Sequence, residues 1–480
     1  KTTLLSMLGA LLSPTSGEVR INCTEIGTMN ARELASLRAG KIGFMFQAFN
    51  LMEALTVEEN MFLGRELRRG PLLRRTEMAQ QTRAQLDRVR CRAATDTLVR
   101  DLSNSDKQML EIAKALSREA RVLIMDEPTS VLTPQEVGQL FETLRKLAAG
   151  GCSILYISHK LHEIKALCDT ATILRGGRLV DTCDPREETS RSMAEKMIGG
   201  GLKDIQKPAG REMGPAKLVV SHLSMPRDGH FGVALKDISF AVRAGEIFGI
   251  AGVAGNGQNA LLLALSGETP CDDAEAVTVN GESLGLLSAK YRRLKGMASV
   301  PEERNGHAAV PDFSLADNSV LTGRDRLAMV GSGLINGSAA RQFTSGVIKQ
   351  FAVKALGPGD LAGSLSGGNL QKFIMGREIM QQPGVLVVSQ PTWGVDAGAA
   401  AAIHQAIVDL ALAGSAIVVI SQDLDELLSL CDTLAVINLG RLSAPRPVAG
   451  ADIEEIGLLM GGIHGETPTD TVEAALAHQA

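Results

Sequence analysis

Residues 121–134 read Arg-Val-Leu-Ile-Met-Asp-Glu-Pro-Thr-Ser-Val-Leu-Thr-Pro, an apolar run of strand length that ends on two carboxylates, Asp126 and Glu127, and a proline. A buried parallel strand delivers acids in this way to the carboxyl edge of an α/β sheet, where ligands bind. Taken alone, an ordinary strand end with capping acids would read the same. A second apolar strand, Ser153 to Ile157, ends at Ser158-His159, and an earlier one, Ile42 to Phe46, ends at Gln47. A lone histidine there is most simply a satisfied core residue, so the order of the features carries more than any one of them. The chain opens Lys1-Thr2-Thr3 ahead of an apolar helical pattern with Leu4, Leu5 and Leu8. Further on, Gly252-Val-Ala-Gly255-Asn256-Gly257-Gln258-Asn259 follows a strand-like run and has the glycine spacing of a loop that cradles phosphate.

The elements that must position these residues occur twice. Leu102-Ser103 opens a helix-like segment running to Ala115, and Leu365-Ser366-Gly367-Gly368-Asn369-Leu370-Gln371 opens another. Val385-Leu-Val-Val-Ser389-Gln390-Pro391-Thr392 matches the earlier Asp-Glu-Pro-Thr run, and Val418-Val-Ile-Ser421-Gln422 matches Ile-Ser-His. Ser366 follows Ser103 by 263 residues, Ser389 follows Asp126 by 263, and Gln422 follows His159 by 263. A constant offset over three separated motifs marks a duplication. The expected organisation is a first domain over 1–200, a polar Gly- and Pro-containing linker over 201–216, a second domain over 217–463, and a loose tail over 464–480.

Composition narrows the function classes. The net charge is −5, aromatic residues are 3% of the 480, and there is no basic stripe, which argues against a nucleic-acid partner. The seven cysteines form no C-x-x-C pair and read as reduced thiols. No apolar run approaches the ~18 residues that span a bilayer, and no signal peptide precedes the first motif, so a membrane role is expected to pass through a partner.

The order Lys-Thr-Thr, Gln47, Leu-Ser…Gln, Met-Asp-Glu-Pro-Thr-Ser, Ser-His resembles that of an ABC ATPase domain. The resemblance implies an α/β fold: two tandem ABC-type P-loop nucleotide-binding domains, each a parallel-sheet core with a helical subdomain. In the first half the inserted helical part is expected near residues 50–100, on the helix-forming stretch Arg65 to Arg90. It also implies ATP and Mg²⁺ as cofactors. Lys1, Thr2 and Thr3 would end the Walker A loop, with Lys1 on the β/γ-phosphates and the Thr2 hydroxyl on Mg²⁺. Asp126 and Gln47 would complete the Mg²⁺ set, Glu127 would take the proton of the attacking water, and His159 would meet the γ-phosphate. Ser130 to Thr133 would form the D-loop. In the second half Gly252, Gly255, Asn256, Gly257, Gln258 and Asn259 would face nucleotide, with Gln258 in place of lysine. Glu302 would stand in for the loop glutamine. Ser366, Gly367, Gly368 and Gln371 would be the signature.

Such domains pair head to tail. One composite site would then join Lys1, Thr2, Asp126, Glu127 and His159 to Ser366, Gly367 and Gly368. The other would join Gln258, Asn259, Ser389, Gln390 and Gln422 to Ser103, Asn104, Ser105 and Asp106. The first set retains every chemical role. The second lacks the cation, the metal carboxylate and the base.

Pro128 to Glu136, Gly252 to Gln258, Val300 to Arg304, Ser364 to Gln371 and Gln390 to Asp396 most resemble the ribose-, galactose- and nucleoside-type importers. That likeness implies an ATP-hydrolysing subunit on the cytoplasmic face of the inner membrane. Its partners would be two transmembrane permease subunits and, indirectly, an extracytoplasmic solute-binding protein; nucleic acid would not be one. The segment from Gln47 to Glu53 would face the permeases. A tandem ABC protein acting on ribosomes or DNA is the rival reading. It would usually carry a long charged linker and both pairs of acids. A non-catalytic assembly protein is a third, against which Asp126, Glu127 and His159 speak. The glycine-rich part of the first Walker A, the first strands and the adenine-stacking residue are expected upstream of Lys1. A lysine at a free chain end has no successive backbone N–H groups behind it to hold phosphate. The 480-residue chain is therefore expected to show no ATP turnover in a phosphate-release assay; robust turnover would overturn this.

Overall fold

The structure, a computed structural model, describes residues 2–21, 24–45, 50–89, 91, 93–102, 104–117, 120–129, 132, 134–158, 160–175, 177–198, 207, 213–227 and 232–460. The chain divides into two compact units, residues 1–201 and 202–480.

The first unit runs α1 (Thr2–Leu8), β1 (Ile42–Met45), α2 (Val57–Phe62), α3 (Arg75–Arg88), α4 (Asn104–Leu116), β2 (Val122–Asp126), α5 (Pro134–Ala149), β3 (Ser153–Ile157), α6 (Leu161–Leu167), β4 (Ala171–Arg175) and β5 (Arg178–Cys183). β1, β2 and β3 form a parallel sheet with β2 in the middle, Ile42 opposite Val122 and Met125 opposite Tyr156. Strand side chains alternate between faces. Leu123 and Met125 pack with Leu110, Ile112 and Leu144, while Ile124 packs with Ile42 and with Leu5 of α1.

Although β1 and β2 are neighbours in the sheet, the helical segment α2–α4 lies between them in sequence. Val57, Met61, Met78, Leu86, Val99 and Leu110 form its apolar interior. α2 begins with a capping box in which Thr56 and Glu59 satisfy each other's backbone N–H groups. α2 and α3 fall within the expected 50–100, and α4 then leads back onto β2, with Leu110 and Ile112 against Leu123 and Met125. The stretch expected as helix from Arg65 splits instead into a two-stranded hairpin, Arg68–Arg69 against Leu72–Leu73, followed by α3. Gly70 at φ 61° and Pro71 make the turn that a helix cannot contain.

The second unit runs β6 (Ala216–Met225), β7 (Leu235–Arg243), β8 (Ile247–Ala251), α7 (Gln258–Ser266), β9 (Val277–Val279), β10 (Met297–Val300), α8 (Leu315–Gly323), α9 (Gly337–Gln350), α10 (Gly367–Ile379), β11 (Val385–Ser389), α11 (Ala397–Leu412), β12 (Ala416–Ser421), α12 (Leu424–Leu430) and β13 (Thr433–Asn438). The core strands are parallel in the order β10–β11–β12–β8–β13, and β6 pairs antiparallel with β7 and β9 in a separate sheet. Every residue of β8, β10, β11 and β12 is buried, as expected for parallel strands covered on both faces.

The 263-residue offset holds for whole elements: α4 and α10, β2 and β11, α5 and α11, α6 and α12 begin and end in register. In the second unit β8 is hydrogen-bonded to β12 on one side and β13 on the other.

A buried ion cluster ties α10 of the second unit to its surroundings. Arg293 Nη1 lies 2.7 Å and Arg377 Nε 2.8 Å from the two carboxylate oxygens of Glu378. Arg377 also donates to the Asn318 and Ala308 carbonyls. Burial pushes the Glu378 carboxyl up, but the two guanidiniums win and hold it below the usual range. Glu378→Ala would strand the buried Arg377 guanidinium and take its partner from the partly exposed Arg293. It is expected to destabilise the second unit by about 3–5 kcal/mol in urea denaturation, whereas an exposed change such as Glu282→Ala should stay within ~0.5 kcal/mol.

Candidate functional site

In the first unit the parallel strand order puts the ends of β1, β2 and β3 on one edge. Asp126 closes β2, half-buried, and Glu127 follows it. Glu127 has φ 50°, and its N–H donates to the Ile157 carbonyl at the end of β3 (2.9 Å). A side-chain-bearing residue in the left-handed region is strained by roughly 1–3 kcal/mol and clusters at functional sites. Here the strain turns the chain sharply off the strand just where the acid stands.

The Pro128-Thr129 segment that follows is held from beneath. Gln108 of α4 donates its side-chain amide to the Pro128 carbonyl (2.8 Å). Glu163 of α6, 1% exposed, accepts from the Thr129 hydroxyl (2.6 Å), the Tyr156 hydroxyl (2.6 Å) and the Ser158 hydroxyl (3.1 Å). One buried carboxylate therefore joins the segment after β2 to the segment after β3. Burial, with the Glu163 charge beside it, pushes the Tyr156 hydroxyl far above its ordinary range, so it stays a donor. Glu163 was not among the residues singled out by sequence. The signal was there, because Glu426 and Thr392 repeat Glu163 and Thr129 at the same 263-residue offset.

Several expected site residues, Lys1, Gln47, Ser103, Ser130, Thr133 and His159, lie outside the described residues. Thr2 opens α1, and Thr3 is exposed in its first turn. Asp106, in the first turn of α4, accepts a long contact from the Cys91 thiol (3.8 Å). The chain just past Gln47 is pinned instead at Asn50. The Asn50 N–H donates to Glu111 (2.7 Å), and its carbonyl accepts from Lys114 Nζ (3.3 Å), both on α4. Buried Asn60 then bonds both the N–H and the carbonyl of Met52. Asn318 does the same for Val310 in the second unit.

That unit keeps the frame and changes the chemistry. Gln390 has φ 51°, and its N–H donates to the Ile420 carbonyl (2.8 Å). Ser389, buried, stands where Asp126 stands, and Gln390 where Glu127 does. Glu426 accepts from the Thr392 hydroxyl, the Ser421 hydroxyl (2.6 Å) and His404 Nε2 (2.9 Å). Burial raises the Glu426 carboxyl, but the His404, Ser421 and Thr392 bonds outweigh it and hold the group low. Glu302 lies two residues past β10, and burial raises its carboxyl.

Ser366 precedes α10, and Gly367 and Gly368 open it. A Cβ on Gly367 would meet Arg304 Nη1 at 2.7 Å, and one on Gly368 would lie 3.5 Å from the Gly394 carbonyl. Gln371 is placed beneath this surface: it is 2% exposed and donates to the Pro391 carbonyl (2.9 Å), as Gln108 does to Pro128. Its amide is thus taken up in support of the loop after β11. The 252–259 loop joins β8 to α7, with Gln258 buried and Asn259 exposed.

A glycine-rich loop ahead of a helix in one half, an acid pair beyond the central strand in the other, and a helix-capping Ser-Gly-Gly on a duplicated parallel frame define a tandem P-loop ATP-binding protein of ABC type. A family profile described as "ABC transporter" matches residues 1–130 and 235–393, and the chain belongs to that family. Its enzymatic activity is accordingly ATP hydrolysis coupled to transport. The nucleoside import ATP-binding protein NupA of Lactococcus lactis subsp. cremoris is 34% identical over 462 residues, covering 96% of this chain and 90% of that protein. The ribose import ATP-binding protein RbsA 2 of Streptomyces coelicolor is 36% identical, covering 100% of this chain and 91% of that protein. Among solved structures, one titled "RNase-L Inhibitor" matches with a TM-score of 0.65 at 17% identity, covering 96% of this chain and 86% of that one. That last likeness is one of fold.

Glu111 gives a pH signature. Burial pushes its carboxyl up to about 7, against the Asn50 bond and Lys114, which lower it. The folded chain therefore binds this proton more tightly than the unfolded chain, and stability falls as pH rises from the ordinary value of 4.5 through about 7. Glu111→Gln keeps an acceptor for the Asn50 N–H and removes the charge. It should flatten that slope and stabilise the first unit at pH 8 by on the order of 2–3 kcal/mol, read from urea denaturation at several pH values.

Proposed function

We propose that this chain powers solute import through partner membrane permeases, with simple sugars or nucleosides as the solute class. The observation that carries the reading is the likeness, over nearly the whole chain, to proteins named as nucleoside and ribose import ATP-binding proteins. Residues 1–200 and 217–463 are its two nucleotide-binding domains, 201–216 the linker and 464–480 the tail. The partners are two transmembrane permease subunits, with an extracytoplasmic solute-binding protein acting through them. The chain works at the cytoplasmic face of the membrane. No helix among the described residues is long and apolar enough to cross it, which supports attachment through a partner.

The first unit carries the hydrolytic chemistry. Asp126 offers a carboxylate at the end of the central strand, the donor type a hard cation requires, so the residues present fit Mg²⁺. Thr2, Gln47 and Asp126 would hold the ion, and Lys1 and Thr3 would sit with the phosphates. When bound, Mg²⁺ neutralises charge on the transferring phosphoryl group. Glu127 stands on a strained turn held by the Ile157 carbonyl, next to Asp126 at the end of the strand, and is the base for the attacking water in this reading. It takes that water's proton, and His159 meets the γ-phosphate.

The second unit does not fit this chemistry. Ser389 has no carboxylate for a metal, and Gln390 accepts no proton at neutral pH. We therefore read the two nucleotide sites as unequal, one hydrolytic and the other at most a binding site. The signature residues sort the same way, with Ser366-Gly367-Gly368 intact and Ser103-Asn104-Ser105-Asp106 bulky and acidic. A role on ribosomes or DNA has only the fold likeness behind it, and the net charge of −5 offers nucleic acid little.

The reading is tested by steady-state ATPase assay in the full-length, permease-bound protein, not in the 480-residue chain alone. Glu127→Gln should lower turnover by ~10²–10⁴-fold, the usual cost of losing a general base, while Gln390→Ala should leave it within about twofold. Equal losses from both would sink the asymmetric assignment.

A further inference from the structure

We propose that Gln258 closes the phosphate loop of the second unit from within, so that this loop takes no nucleotide phosphate. The inference deepens the reading of unequal nucleotide sites and rests on it. It turns a site that at most binds into one that does not.

The side chain of Gln258 is 8% exposed and folds back into the loop. Its Oε1 accepts from the Asn256 N–H (2.9 Å), and its Nε2 donates to the Val253 carbonyl (2.7 Å). The Gln258 Nε2 lies so close over Gly252 that a Cβ there would meet it at 2.7 Å. The amide group thus fills the concavity between Gly252 and Asn256.

A phosphate loop binds anions because its successive backbone N–H groups point inward with no acceptor of their own. A lysine at position 258 would bring three donors and no acceptor, so it could not satisfy the Asn256 N–H. That donor would remain for a phosphate oxygen. Glutamine brings one acceptor and two donors. It closes a circuit in which the loop N–H and the loop carbonyl are both satisfied by one neutral amide. The loop then offers neither the cation nor this donor to an incoming phosphate.

The outer side of the loop is fastened as well. The Asn256 side chain donates to the Val253 carbonyl (2.9 Å) and accepts from the Leu439 N–H (3.0 Å). The Asn256 carbonyl accepts from the Gly440 N–H (2.9 Å), and Gly440 packs so tightly on Ala234 that a Cβ would meet its carbonyl oxygen at 1.8 Å. These bonds tie the loop to the turn after β13 and hold its shape without any ligand.

The test is hydrogen–deuterium exchange on the full 480-residue chain, following the peptide 253–260, with inorganic pyrophosphate and with Mg·ATP at millimolar concentration. In the parent chain neither should change exchange of this peptide. Gln258→Lys should make it sensitive to pyrophosphate, slowing exchange by about tenfold. Gln258→Ala, without any ligand, should speed exchange at the Asn256 N–H by about tenfold while exchange in 397–412 stays as in the parent, which shows the unit still folded. Gln258→Glu retains the acceptor and should stay closed to pyrophosphate. Ligand protection of 253–260 in the parent would overturn the proposal, as would a Gln258→Lys chain that ignores pyrophosphate. Neither result bears on whether Glu127 drives import, since the readout involves no turnover.

Discussion

Each unit is organised around one backbone hydrogen bond, from the residue that follows β2 or β11 to the end of the neighbouring strand, β3 or β12. Glu127 donates to Ile157 and Gln390 to Ile420, both from a left-handed conformation with φ near +50°. That conformation is costly for any residue with a Cβ, and it persists because the surroundings leave the chain no alternative. The strands on either side are locked in parallel register. The next residue is a proline whose carbonyl is held by a buried glutamine, Gln108 or Gln371. The second half keeps the strained turn even though it carries an amide where the first carries an acid. The turn is therefore a demand of the frame, and the acid in the first half makes use of it.

A buried glutamate supplies the second constraint. An ionised carboxylate in an interior must be surrounded by donors, since leaving one oxygen unmet costs more than a neutral bond returns. Glu163 and Glu426 meet the condition with different partners. Both take the threonine after the Pro and the serine at the end of the neighbouring strand. A further donor is Tyr156 from β3 in one half, where Lys160 Nζ also lies 3.7 Å from Glu163, and His404 from α11 in the other. The donor has moved from a strand to a helix while the acid has stayed. What is preserved is the satisfied carboxylate, because through it the ends of two strands move together.

Against that common frame the halves have parted in chemistry. Where the first half has Asp126 and Glu127, the second has Ser389 and Gln390, and its phosphate loop carries an amide at 258. The second half has the more heavily buried charge. Arg377 and Glu378 occupy positions held by Lys114 and Ala115 in the first half, where Lys114 reaches the Asn50 carbonyl. Each half has thus used the same face of its signature helix differently. One clamps the segment that follows Gln47, and the other builds an ion cluster into the insertion.

The amino-acid sequence alone determined the duplication, the parallel α/β cores and the acid pair at a strand end. These depend on short apolar runs and on residues adjacent in the chain, and a run such as Val122 to Asp126 can form little else. It also showed which chemical groups the second half lacks, since the identity of a side chain needs no coordinates. It did not show the hairpin within Arg65 to Arg90, where the local Gly-Pro turn overrides helix propensity. Nor did it show Glu163, Asn60 or Glu111 as supports of the site, because their partners lie on other elements. Gln371 is legible from sequence as part of the signature motif, and only its burial against Pro391 shows where its amide bonds. The same holds for Gln258. Its type says that a cation is missing, but that its amide turns inward and satisfies the loop is decided by the tertiary structure, because both ends of that circuit are backbone groups whose directions only the folded chain fixes.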